Sequence, residues 1–241
     1  MNTKETGPHI LSAFDEDLTA VMAQLAEMGG IAENMFAQAI EGVERRDVAL
    51  CREVVARDRR LDELELETDE MVTRTMALRA PVAQDLRLLI CALKMSSTLE
   101  RVGDLSKSIA RRGIELSDVA PMRLTSSVAR MGRAAQRQVS ESLDAFISRD
   151  VDAATAVWRR DVEIDELYNA LFRELITYMM EDPRTITAGS HYLFIAKNIE
   201  RAGDHATHVA ELTHYLVTGE PLGIDRPRGA PARAPKTEGD A

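Results

Sequence analysis

From about residue 10 to 44, apolar side chains recur every three or four positions: Leu11, Phe14, Leu18, Met22, Leu25, Met28, Ala32, Met35, Ala39 and Val43. That spacing lines them up as one stripe of an α-helix. The same 3.6-residue rhythm, with almost no β-branched alternation, continues over about 47–79, 82–117, 122–148, 150–181 and 184–217. Pro81, Pro121 and Pro183 fall between these stretches, where a helix has to be interrupted. The pattern predicts an all-α chain of six long helices joined by short connectors, which makes sequential neighbours antiparallel. Gly29-Gly30 either weakens the first helix or lets a neighbour come close. Residues 219–241, which include PLGIDRPRGAPARAPKTEGDA, are rich in Pro, Gly and Ala and predict a disordered C-terminal tail.

The six helices split into two similar sets. ERVGD at 100–104 returns as ERAGD at 200–204, and RDRRLDEL at 57–64 is echoed by RDVEIDEL at 160–167. An internal repeat of this kind predicts two tandem, similar three-helix bundles, residues 10–118 and 121–218. Each half carries a DxxxD on its second helix and an ExxxD on its third. Residues four apart stack on one helix face, where like charges repel by a few tenths of a kcal/mol. Something beyond helix propensity has to hold them there.

If the second and third helices fold back on each other at Pro81, Asp62 lies opposite Glu100 and Asp58 opposite Asp104. Around Asp182-Pro183 the same geometry sets Asp165 opposite Glu200 and Asp161 opposite Asp204. Four acids per half then share one level of a helical hairpin, roughly 30 Å from its turn at 1.5 Å per residue. Ionised carboxylates about 5 Å apart repel by several kcal/mol at intermediate dielectric, an upper-range figure that solvent reduces. Splayed acids, arginine partners or bound cations are the three ways out. Arg57, Arg101, Arg160 and Arg201 each adjoin an acid, but neighbours on a helix differ by about 100°, so these arginines flank the cluster rather than fill it. Mirrored motifs favour metal binding by Asp58, Asp62, Glu100, Asp104, Asp161, Asp165, Glu200 and Asp204 over cross-helix ion pairing. Oxygen-only ligands suit hard ions such as Mg²⁺, Ca²⁺, Mn²⁺ or iron better than Zn²⁺.

Composition changes the picture mainly by exclusion. The 241 residues are 45% hydrophobic, enough for a sizeable core, yet only 4% aromatic, which agrees with helices rather than sheet. A net charge of −10 argues against a nucleic-acid partner. Cys51 and Cys91 are the two cysteines, with no CxxC, and read as reduced packing residues of a cytosolic protein. The opening residues lack a basic region followed by a long apolar stretch, so a secretory signal is not expected. The longest apolar run, LLICAL at 88–93, is too short to span a bilayer.

The stretches RAPVAQDLRLLICALKMSSTLERVGDLSKSIA (79–110) and EDPRTITAGSHYLFIAKNIERAGDHATHVAE (181–211) resemble the two diagnostic segments of the PhoU family, regulators of the phosphate-specific transport system. The likeness extends over about residues 10–218. It implies two similar three-helix bundles side by side and multinuclear metal clusters of iron, manganese or magnesium at the E(D)xxxD motifs, matched here by the eight acids above. It also implies a cytoplasmic negative regulator of phosphate uptake and of the phosphate-starvation response. The implied partners are the transporter's ATP-binding subunit and the pathway's sensor histidine kinase, reached by docking rather than by membrane insertion. Apolar Met and Ala faces on long helices leave room for a homodimer.

Departures from the family pattern are local. Thr98 stands where many relatives carry an acid, and Asn198, His205 and His208 surround the second motif. His208, one turn past Asp204, suits a ligand, a neighbour of a ligand or an ordinary polar-face residue. An oxidase on a carboxylate bundle would want two Glu-x-x-His pairs; only Glu211 to His214 is found. No Ser/His/Asp arrangement and no GxxxxGK[ST] loop occurs. The expectation is therefore a regulator without catalysis, with a metal-binding oxidase and a metal-free helical scaffold as competing readings.

Overall fold

The computed structural model describes residues 7–223, with side chains from residue 14 onward. Leu11 of the first stripe and the tail beyond Gly223 lie outside the described side chains and residues. Six long helices follow one another: α1 (Gly7–Arg45), α2 (Val48–Arg79), α3 (Ala83–Leu116), α4 (Thr125–Ser148), α5 (Val151–Glu181) and α6 (Ile186–Thr218). A 3₁₀ turn, Pro183–Thr185, leads into α6, and there is no strand among the described residues. The fourth helix begins three residues later than its apolar rhythm suggests. Residues 123–124 form a turn instead, across which the Thr125 hydroxyl donates to the Met122 carbonyl at 3.1 Å.

Both halves enter their second helix in the same way. Arg46 and Arg149 take left-handed φ values of 56° and 55°. The next amides, of Asp47 and Asp150, reach back to the Gly42 and Ala145 carbonyls at 2.9 Å each. Asp47 and Asp150 then cap α2 and α5 by accepting from the Leu50 and Ala153 amides, at 3.0 and 2.9 Å. These bonds satisfy carbonyls and amides that the two helix ends would leave without partners. α6 stops at Gly219, whose φ of 81° closes the last turn on the Tyr215 carbonyl.

Within each half all three helices touch one another, and α3 against α6 and α1 against α4 join the halves. One continuous apolar core receives residues from all six helices, among them Met28, Phe36, Leu64, Met95, Phe146, Leu171 and Tyr192. Cys51 and Cys91 are buried free thiols in it. Burial, aided by Asp47, pushes the Cys51 thiol up to about 11, and burial raises that of Cys91. Both are thus inert packing residues. α1 runs unbroken through Gly29-Gly30. Gly29 admits α4, since a Cβ there would lie 3.2 Å from Leu143 Cδ2.

Candidate functional site

The glycine of each repeated motif explains how acids from two helices reach one level. Leu61 projects from α2 between Asp58 and Asp62 and presses directly onto Gly103 of α3. Ile164, between Asp161 and Asp165, does the same at Gly203, where a Cβ would sit 2.8 Å from its Cδ1. The lack of a side chain lets the helix pair close to this distance without displacing Leu61 or Ile164. Carboxylates on either side of the contact then face each other across it.

In the first half, Asp58 is 4% exposed and Asp104 lies beside it. The Lys107 ammonium stands between them, bonded to Asp58 Oδ2 and 3.2 Å from Asp104 Oδ1. Burial raises the Asp58 carboxyl above its ordinary value, Lys107 pulls it back, and Asp62 and Asp104 add to the rise. Glu100 is pushed up to about 7, first by burial and then by Asp104, with Glu65 adding and Arg101 opposing. Its Oε2 is buried without a hydrogen-bond donor, because Arg101 Nε, 3.4 Å away, is not aimed at it. Asp62 is exposed.

The second half solves the same problem differently. Asp161, 3% exposed, accepts from the Thr207 hydroxyl at 2.9 Å, and Gln138 Nε2 donates to that hydroxyl at 3.0 Å. Thr207 stands at the repeat position of Lys107, so a neutral donor replaces a cation. The lysine of this half is Lys197, one turn before Glu200 and 2.6 Å from its Oε2. That ion pair lies off the ideal hydrogen-bond direction, and it is the contact that the buried Oε2 keeps. Burial raises the Glu200 carboxyl, Lys197 opposes, and Asp204 and Asp165 add.

The fold thus brings Asp58 to Asp104 and Asp165 to Glu200, as hairpin pairing anticipates. Among the described residues, no three acid, histidine or cysteine side chains already converge at ion-binding spacing. Arg57 and Arg160 turn away to the first helix of their own half, Arg57 to Asn34 and Gln38, Arg160 to Glu141. Arg101 does reach Glu100 and Asp104, at 3.4 and 3.5 Å. Sequence reasoning missed Lys107, Lys197, Thr207 and Glu65. The i,i+3 spacing of Lys107 from Asp104 and of Lys197 from Glu200 is the signal that could have found the lysines.

The other singled-out residues are turned elsewhere. Thr98 donates to the Lys94 carbonyl at 2.7 Å, which occupies its hydroxyl proton within its own helix. His208 Nδ1 lies 3.2 Å from Glu211, which Trp158 also approaches, while His214 faces the Glu220 carbonyl at 2.9 Å. Glu211 and His214 therefore do not converge on the acids. His205, half-buried, is lowered to about 4, chiefly by burial and then by Arg201, with Asp204 opposing and His208 and Arg101 adding.

The PhoU domain model matches twice, over residues 25–113 and 128–213, and each match contains one DxxxD and one ERxGD. The chain belongs to the PhoU family. A phosphate-specific transport system accessory protein PhoU homolog of Caulobacter vibrioides is 48% identical, over 91% of this chain and 96% of that one. Its Rhizobium meliloti counterpart is 44% identical over 91% and 93%. The crystal structure of PhoU from Pseudomonas aeruginosa superposes with a TM-score of 0.83 at 38% identity, covering 86% of this chain and all of that one. The all-helical PhoU architecture and a place among accessory proteins of phosphate transport are therefore shown. No described helix is long and apolar enough to cross a membrane.

Proposed function

We propose that this PhoU-family chain is a cytoplasmic negative regulator of phosphate uptake and of the phosphate-starvation response. It acts by docking on the transporter's ATP-binding subunit and the sensor histidine kinase, without turnover. Its two three-helix units, 10–118 and 121–218, serve as paired repeats. The observation that carries the reading is the mirrored acid level on a PhoU fold, with Glu100 and Glu200 each keeping a buried oxygen that is met only off-axis, by Arg101 and Lys197.

That donor set fits a hard cation such as iron, manganese or magnesium: oxygen ligands only, with Asp58, Glu100 and Glu200 raised first by burial and then by neighbouring carboxylates. Asp161, Asp165, Glu200 and Asp204 would hold it in the second half, and Asp58, Asp62, Glu100 and Asp104 in the first. A bound cation supplies the positive charge that lets these acids stay ionised together. The chain's own part is to fix the acids through the Leu61–Gly103 and Ile164–Gly203 contacts and so to stiffen the helix faces that meet partners. In the first half Lys107 already provides one positive charge, which favours a scaffold without metal there.

The test joins metal content to regulation. Protein purified without an affinity tag for metals is analysed for elements beside a variant with Glu100, Asp104, Glu200 and Asp204 changed to Ala, and phosphate uptake is measured in cells carrying each. Metal lost together with repression supports the reading. Repression that survives loss of metal removes metal from the signal, and uptake that is regulated equally well in cells lacking the chain removes the regulatory role.

A further inference from the structure

The arginines of the two ERxGD motifs meet. Arg101 on α3 and Arg201 on α6 line one cavity of about 340 Å³ at the seam between the halves, together with Lys107 and Arg111. Asp104 is the one acid in its lining, so four cations face a single carboxylate on a chain whose net charge is −10. Asp58 and Glu100 behind it draw on Lys107 and Arg101. Arg111 and Arg201 are exposed and form no ion pair among the described residues, so their guanidinium donors are left to solvent or a ligand.

The uncharged lining also donates. Asn198 Nδ2 gives a hydrogen bond to Ser108 Oγ at 2.9 Å across the seam. Ser108 accepts there, which keeps its own proton available to a further acceptor, and the second N–H of the Asn198 amide is available as well. Planar guanidinium forks, an ammonium and a hydroxyl around one water-accessible cavity are the complement of a small tetrahedral oxyanion. Nothing comparable lines the cavity on α1 and α2, where Asp17 offsets Arg79 at 3.1 Å.

We propose that this seam is a binding site for inorganic phosphate, with Arg111 and Arg201 as the principal contacts and Arg101, Lys107, Ser108 and Asn198 completing it. The proposal deepens the regulatory reading by giving the chain its own contact with the regulated anion, and a ligand held between Arg111 of one half and Arg201 of the other would bias their packing. It does not require metal.

The experiment is calorimetric titration of chelator-treated protein with inorganic phosphate, set beside Arg111→Gln, Arg201→Gln, the double variant and Arg74→Gln at the remote cavity. Saturable binding at one site per chain, about tenfold weaker in each single variant, weaker still in the double variant and unchanged in Arg74→Gln, is the expected result. Circular dichroism establishes that the variants are folded. No saturation up to about 10 mM phosphate, or equal affinity in wild type and the double variant, overturns the proposal. Binding that appears only after metal is restored and ignores both arginines also overturns it and assigns phosphate to the acids. Phosphate binding in a protein that fails to regulate uptake would leave the site standing and remove the regulatory reading.

Discussion

The two halves each carry four acids in the same register yet neutralise them differently. The first half places Lys107 between Asp58 and Asp104 and leaves Glu100 with an off-axis Arg101. The second gives Asp161 a hydroxyl, Thr207, and moves its lysine one turn ahead of Glu200. Repetition therefore preserves the backbone contact at Gly103 and Gly203 while the compensating charge drifts along the helix. The shared geometry brings the acids together, and the local cation decides how much negative charge is left for anything else to bind.

Lys107→Met breaks this comparison most strongly. In chelator-treated protein it strands Asp58 as a buried, uncompensated charge, and denaturant unfolding should lose about 3 kcal/mol at neutral pH. Thr207→Val, at the equivalent position, removes a neutral donor and should lose about 1–2 kcal/mol. Equal losses would mean that the two acids are held alike after all. Metal sharpens the same contrast: Lys107→Met protein should recover more stability than wild type on adding manganese, because the competing ammonium is gone.

Next come the helix contacts. Gly103→Ala and Gly203→Ala each force a methyl into Leu61 or Ile164 and should destabilise by about 1–3 kcal/mol in thermal unfolding, with Gly103→Ala the worse because Leu61 stands closer. The caps provide the control in which the halves are alike. Asp47→Ala and Asp150→Ala should cost about 1 kcal/mol apiece, and a difference well beyond that would show that one repeat is less stable than the other.

The smallest effect is in pH. Glu100 holds its proton up to about 7 in the folded chain, against an ordinary value of 4.5. A raised acid binds protons more tightly when folded, so its contribution is present below about 4.5 and is lost as pH rises through 7. In metal-free protein, melting between pH 5 and 8 should show a decline on the order of 1 kcal/mol, discounted for partial solvation, that Glu100→Gln abolishes. A slope that persists in the variant would place the titration elsewhere, with Asp58 or Glu200 as its source.

Much of this molecule was legible along the chain. Helix rhythm, the prolines and the repeated motifs fixed six helices and their hairpin pairing, because periodicity and punctuation are local properties. The acids were legible for the same reason, and DxxxD against ExxxD located their common level. The neutralising groups were not. Lys107 and Lys197 look like ordinary solvated residues until the helix pairs close, and Thr207 looks like a helix-interior residue until Asp161 arrives from α5.

What the sequence by itself determined, then, is the helical architecture, its internal duplication and which residue types sit at the shared level. Tertiary structure alone decided which cation serves which acid, since an ion pair depends on a few ångströms and on rotamers set by neighbours on other helices. It also decided that the two motif arginines, a hundred positions apart, line one cavity. That meeting depends on α3 packing against α6 across the halves, a contact between distant segments that no local pattern specifies.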